Sequence, residues 1–291
     1  MVSKSTILHL RIPFSFFLLP VFLFAISVEP PTQVLPTVLV FFILHFLLYP
    51  ASNAYNSYFD KDKGSIGGLK NPPPVSKELY WVALLLDALA LALGLLISWQ
   101  FSVMLLVYGL VSKAYSHPSV RLKKYAVGSW FIAGFFQGCF TWLMANVGVH
   151  HKGFLVFTEV PLLLPAFLSS LMLWGSYPMT QVYQHEEDAR RGDYTLSYVL
   201  GVKGTFHFTM IVFTVAAIGF ITFYSYYYSA WHSVAYMVFL LPLLAYSFLW
   251  YARVVRDTKE ANFRNTMRLN MISGLSLNLF FLLMLIFELR G

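Results

Sequence analysis

The chain has 291 residues, of which 58% are hydrophobic, 18% aromatic and only 11% charged. Soluble globular domains keep about a quarter of their residues charged, so this composition excludes that class and points to an integral membrane protein. The net charge of +7 then bears on which loops carry the positive charge, and nucleic acid is not expected as a partner.

A helix needs about 20 mostly apolar residues to cross the hydrocarbon core. In chain order such runs occupy roughly 12–28, 35–57, 79–99, 102–117, 126–148, 159–183, 205–226, 232–252 and 269–288. Breakers separate them: Pro30-Pro31, Pro72 to Pro74, His117-Pro118, and Gly201 to Gly204. The expected fold is an all-α integral membrane protein of about nine transmembrane helices, one polytopic domain over residues 1–291. The first run reads as a retained span, because Pro13 and Pro20 interrupt it and no disulfide-bearing exported domain follows. The single cysteine, Cys139, lies in an apolar run and permits neither an intrachain disulfide nor a cysteine metal site.

Nine crossings place eighteen of the twenty Lys and Arg residues on the N-terminal side of the membrane, leaving Lys152 and Arg290 on the other. By the positive-inside rule the N-terminus and that face are cytoplasmic and the C-terminus is opposite. One helix more or fewer would scatter these charges over both faces.

Two polar segments interrupt this apolar pattern at the ends of the second and sixth spans. Residues 53–64 read NAYNSYFDKDKG and residues 181–192 read QVYQHEEDARRG, sharing an amide, a Tyr, a second amide, an Asp and a Gly at the same spacing. In a helix, positions i, i+3 and i+7 fall within an arc of roughly 60°. Asn53, Asn56 and Asp60 are thus expected on one stripe, and Gln181, Gln184 and Asp188 on another. Six of the thirteen acids in the chain lie in or just after these segments: Asp60, Asp62, Glu186, Glu187, Asp188 and Asp193. Facing acidic clusters repel unless cations lie between them, and carboxylates beside phosphates are the usual setting for Mg²⁺. Asn53 and Gln181 sit inside their apolar runs, where an unpaired amide is costly, so both are expected to face a shared polar cavity.

A third polar stretch, AYSHPSVRLKKY from Ala114 to Tyr125, adds Arg121, Lys123 and Lys124 on the same face. Acids for Mg²⁺ together with cations for phosphate oxygens compose a diphosphate site.

NSYFDKDKG resembles the first aspartate-rich motif of the UbiA superfamily of intramembrane prenyltransferases. QHEEDARRGDYT, running to Thr195, resembles the second, and YSHPSVRLKK is similar to a basic loop of some branches. Motif one therefore spans 53–64 and motif two 181–195, as a pseudo-repeat. The resemblance implies a helical bundle around a central cavity open to the cytoplasmic side and to lipid. It implies Mg²⁺-dependent transfer of a polyprenyl group from a prenyl diphosphate to an acceptor, usually aromatic and often a quinone precursor, with release of diphosphate. Asp60 and Asp188 are the expected principal Mg²⁺ ligands and catalytic acids, with Asp62, Gln184 and Glu187 as further metal ligands. Asn53, Asn56, Gln181, Arg121, Lys123, Lys70 and Arg191 are expected around the diphosphate. Ser57, Gly64 and Gln184 stand where many members carry acids, so the number of Mg²⁺ ions stays open.

The competing class is a secondary transporter, which would carry its polar residues near the bilayer midplane rather than at the helix ends. Asp87, alone in the middle of the third span, would cost about 2.5–3.5 kcal/mol on the insertion scale and needs a partner. His150 and His151 fall on the face opposite the motifs and read as loop residues.

Overall fold

The computed structural model describes residues 2–290 and is helical throughout, apart from loops and one isolated β-bridge between Ile66 and Leu69. The chain opens with α1 (Lys4–Leu10), a 3₁₀ turn (Ile12–Phe17) and α2 (Leu19–Val28), bent by 41° around Leu18. Next, α3 (Val34–Phe42) runs through a π-turn into α4 (Tyr49–Asp60). The hairpin of α5 (Glu78–Ile97) and α6 (Trp99–Ser116) turns at Ser98, whose side chain caps α6 by accepting from the Phe101 N–H. A second π-turn joins α7 (Ala126–Phe135) to α8 (Thr141–His150), followed by α9 (Val160–Ser176) and the short α10 (His185–Arg191). The chain closes with α11 (Leu196–Tyr227), α12 (Ala230–Arg256) and α13 (Phe263–Glu288).

Among the described residues, seven helical segments are long and apolar enough to cross a membrane, or eight if the bent pair over residues 4–28 counts as one span. This falls short of the expected nine. The difference is α6, a helix at the expected place whose Gln100, three serines and Lys113 dilute its apolar character.

Lys113 also answers the problem of Asp87. It forms an ion pair with Asp87 across the α5–α6 hairpin and rests 5.1 Å from the ring centre of Tyr55. Two charges that are costly singly in an apolar medium thus compensate each other.

Apolar side chains gain nothing from leaving lipid for protein, so helices in a bilayer associate by close packing. At the centre of the bundle Phe24 of α2 stacks on Phe281 of α13 at 4.8 Å between ring centres and meets Phe220 of α11 at 5.1 Å. Trp142 of α8 completes this fully buried aromatic centre. Small residues set the nearest approaches: a Cβ on Gly138 would lie 2.5 Å from Ser170 Cα and 2.6 Å from its amide nitrogen, where the α7–α8 span crosses α9. The Ser170 hydroxyl occupies the same contact, accepting from the Cys139 N–H and donating to the Gly134 carbonyl.

The π-turns Ile43–Leu48 and Phe136–Phe140 each insert a residue into a span and shift the face that follows. The first re-aims Ser52, Asn53 and Asn56 of α4 toward the bundle interior, and the second presents Gln137 there. The Gly138 contact makes a direct prediction: Gly138→Ala should lower stability by about 1–3 kcal/mol, read as a lower thermal midpoint in detergent. An unchanged midpoint would contradict so close a crossing.

Candidate active site

One face of the bundle carries a cavity of about 230 Å³ lined by residues from α4, α6, the 121–125 turn, α7, its π-turn, the end of the α9 segment and α10. The α4 stripe forms as expected: Asn53, Asn56 and Asp60 all line it, with Asp62 just past the helix end. Helix α4 stops because Lys61 adopts a left-handed conformation (φ 49°) as its C-cap.

The second stripe is not continuous. The helix expected to run through 183 gives way to a 3₁₀ turn at Tyr177–Thr180, and α10 begins only at His185, after the four residues 181–184. Pro178 opens this 3₁₀ turn. Gln181, Gln184 and Asp188 still line the cavity, but tertiary packing across a break brings them there, not helical periodicity. The two motifs do lie on one face and meet in one cavity.

The acids are bound into an ion network. Asp193 is its hub at 1% exposed, because Gly192 ends α10 with φ 74° and turns the chain back. Arg121 grips it with two parallel bonds, Nε to Oδ1 at 2.8 Å and Nη2 to Oδ2 at 3.0 Å. Lys123 Nζ and Arg191 Nε each stand 3.5 Å from its Oδ2. Lys123 also pairs with Asp60, and Arg191 bridges Asp62 and Asp188, the latter at 2.7 Å. Two cations thus tie the acids of motif one to those of motif two.

Burial pushes the Asp188 carboxyl up to about 7, outweighing the pull of Arg191. Burial likewise raises Asp62 against Arg191, and the neighbouring Asp60 charge adds to the rise. The hydrogen bond to Asp193 raises the Arg121 guanidinium.

Several expected site residues stand elsewhere. Glu187 is outside the cavity; its carboxylate accepts from the backbone N–H groups of Lys63 at 2.8 Å and Gly64 at 2.9 Å. Any Cβ on Gly64 would fall 2.3 Å from Glu187 Oε2, so the absence of a side chain at position 64 makes room for this clasp. Gln184 lines the cavity but donates to the Ser65 carbonyl at 3.0 Å, adding a second stitch to the same loop. Lys70 is exposed and does not line the cavity. Arg121 buttresses Asp193 from outside the lining. Asn56 donates to the Ser116 hydroxyl at 2.9 Å. Of the aromatics nearest the motifs in sequence, Tyr55 and Tyr58 pack with Tyr80 away from the cavity, whereas Tyr108, Tyr115 and Tyr177 line it.

The sequence places Asp193 among the clustered acids without singling it out as a ligand and assigns Arg11 no site role, yet both line the cavity. Asp193 had a signal, since it is an acid directly after the glycine that ends motif two. Arg11 had none, because only folding carries the first span to the motifs.

The donor set suits a hard divalent cation, being carboxylate and amide oxygens with no sulfur or imidazole. Among the described residues, however, no three His, Cys, Asp or Glu side chains converge on one point. Lys123 and Arg191 stand between the acids of the two motifs.

Residues 17–273 match the model of the UbiA prenyltransferase family. The chain belongs to that family. It is a prenyltransferase of the membrane-embedded, all-α kind. No curated protein sequence matches it. Among solved structures it is similar to a UbiA homolog from Archaeoglobus fulgidus bound to GPP and Mg²⁺, with a TM-score of 0.68, 17% identity, and coverage of 97% of this chain and 99% of that one. It is also similar to the apo structure of a UbiA homolog from Aeropyrum pernix K1, at TM-score 0.66 and 18% identity over 91% of this chain and 97% of that one. A structure of digeranylgeranylglyceryl phosphate synthase matches at TM-score 0.59 and 20% identity, covering 97% of each chain. At these identities the likeness is one of fold.

The Glu187 clasp is testable apart from catalysis. Glu187→Gln and Gly64→Ala should each free the 61–70 loop and speed tryptic cleavage at Lys63 and Lys70 in the folded protein. Cleavage at the wild-type rate in both variants would show that the clasp does not hold the loop.

Proposed function

We propose that the protein transfers a prenyl group from a polyprenyl diphosphate to a small, aromatic acceptor within the membrane, using Mg²⁺. The observation that carries this reading is the cavity where four aspartates from two motifs meet three cations. Acids for metal ions and cations for phosphate oxygens are what a diphosphate leaving group requires.

In this reading Asp60, Asp62, Asp188 and Asp193 would hold Mg²⁺, with Asn56 and Gln184 supplying amide oxygens, and the ion would supply positive charge against the diphosphate. Lys123 and Arg191 then exchange their carboxylate partners for phosphate oxygens, Lys123 as a point charge and Arg191 as a fork. Asn53 and Gln181 line the same chamber and orient the diphosphate. Glu187 and Gln184 keep the 61–70 loop against motif two, so that the acids of motif one stay in register.

The bond that breaks joins the allylic carbon to the diphosphate oxygen, and the carbon left behind carries positive charge. Tyr108, Tyr115, Tyr177 and Phe136 line the chamber where that charge develops, and their ring faces can stabilise it. The Tyr115 and Tyr177 hydroxyls bond to each other at 2.6 Å, which fixes both rings. A second chamber of about 160 Å³ adjoins the first through Phe14, Ser52, Asn53, Tyr108, Gln137, Tyr177 and Thr180. It reaches toward α2 and α13, and among the described residues no charged side chain lines it, which suits an isoprenoid chain entering from lipid.

The same reading takes the chain as one polytopic domain of nine spans, α6 included, with motif one closing the second and motif two the sixth. Positive charge on the motif side makes that face and the N-terminus cytoplasmic, with the C-terminus opposite. Placement of the cavity's acids and cations at helix ends rather than at the midplane counts against a transporter.

Asp60→Ala and Asp188→Ala should each abolish Mg²⁺-dependent prenyl transfer, measured with labelled prenyl diphosphates and a panel of aromatic acceptors, while the protein remains folded in membranes. Near-wild-type turnover in either variant would remove that acid from the site.

A further inference from the structure

Arg11 is the C-cap of α1, with its backbone in the left-handed region at φ 47° and its N–H bonded to the Leu8 carbonyl. This geometry directs its side chain onto the wall of the cavity that holds Asp60, Lys123 and Arg191. Its hydrogen-bond partners are two neutral backbone carbonyls, Gly67 O from Nη1 at 3.2 Å and Asn53 O from Nη2 at 3.4 Å. Its Nε is buried with no partner. Among the described residues no carboxylate lies within ion-pair distance of it, whereas Lys123 and Arg191, the other cations on that wall, are each paired with aspartates.

A guanidinium is always charged. Half-buried at the cavity wall, Arg11 has the Phe14 ring 5.6 Å from its guanidinium carbon and the Asp60 and Asp62 charges across the cavity but, among the described residues, no carboxylate within ion-pair distance. A ligand oxygen carrying negative charge would complete its coordination and fill the vacant Nε. Carbonyl partners, moreover, leave the net charge of Arg11 available, which a carboxylate partner would cancel.

We propose that Arg11 binds an oxyanion of the substrate, either a phosphate oxygen of the prenyl diphosphate or a carboxylate on the acceptor. The inference rests on the functional reading given above and deepens it by assigning an anion subsite to the first span. Arg11 also braces the 67–68 turn, so the test must separate recognition from bracing. Arg11→Gln keeps an amide donor for a carbonyl and removes the charge; Arg11→Lys keeps the charge and removes the fork.

The full chain in detergent or nanodiscs, with Mg²⁺ present, is assayed for binding of inorganic diphosphate. KM is then measured for the prenyl diphosphate, for a carboxylate-bearing acceptor and for its neutral analogue. If the oxyanion is a phosphate, Arg11→Gln weakens inorganic diphosphate binding by about tenfold or more and Arg11→Lys by less, with acceptor KM unchanged. If it is a carboxylate, inorganic diphosphate binding is unchanged and KM rises about tenfold or more for the carboxylate acceptor alone. Either selective loss supports the proposal. A lower thermal midpoint with all affinities within about twofold of wild type shows bracing only and overturns it. Should Arg11→Gln fail to fold, Arg11→Lys with wild-type affinity for inorganic diphosphate and for both acceptors overturns it equally. Wild-type protein that binds no inorganic diphosphate and transfers no prenyl group would instead overturn the functional reading itself.

Discussion

Buried acids in an apolar protein must find positive charge, and that requirement organises the motif face of this molecule. Asp60 and Asp62 leave the end of α4, Asp188 and Asp193 lie in and just after α10, and none can sit unpaired at such low exposure. Lys123 and Arg191 bridge the two groups, and Arg121 locks Asp193 from outside. The network holds three loops that belong to different parts of the sequence. It sets four aspartates against three paired cations, and in the proposed reaction Lys123 and Arg191 turn from carboxylates to phosphate oxygens.

Around this network the fold supplies placement. Two π-turns re-aim the faces of α4 and of the α7–α8 span toward the cavity, and the Gly138–Ser170 contact lets the spans approach closely enough to enclose it. Glu187 and Gln184 stitch the 63–65 backbone to motif two, where a side chain at position 64 would collide. Departures from the family pattern at Gly64 and Gln184 therefore have a physical counterpart: these positions form a clasp between the motif loops.

The stripe of Asn53, Asn56 and Asp60 was legible because a continuous helix repeats every 3.6 residues and α4 is continuous there. The parallel stripe through Gln181, Gln184 and Asp188 was read by the same rule, yet the helix breaks at 181–184, and its residues reach the cavity by another route. Glu187 looked like a metal ligand because its residue type and spacing allowed it, but its direction depends on a loop 123 residues away in sequence. The count of spans differs for a local reason, since α6 is a helix at the expected position whose own polar residues dilute its apolar character.

By itself the sequence determined the membrane class, the helical content, the two polar segments and their common face, and through its motifs the family. Those properties follow from composition and local periodicity, which neighbouring residues set. Only the tertiary structure decided which acid faces which cation, that Asp193 is the hub, that Glu187 turns to the backbone, and that Arg11 reaches the cavity without a carboxylate. Each depends on contacts between segments tens to more than a hundred residues apart, where packing geometry and the cost of unpaired buried charge select the partners.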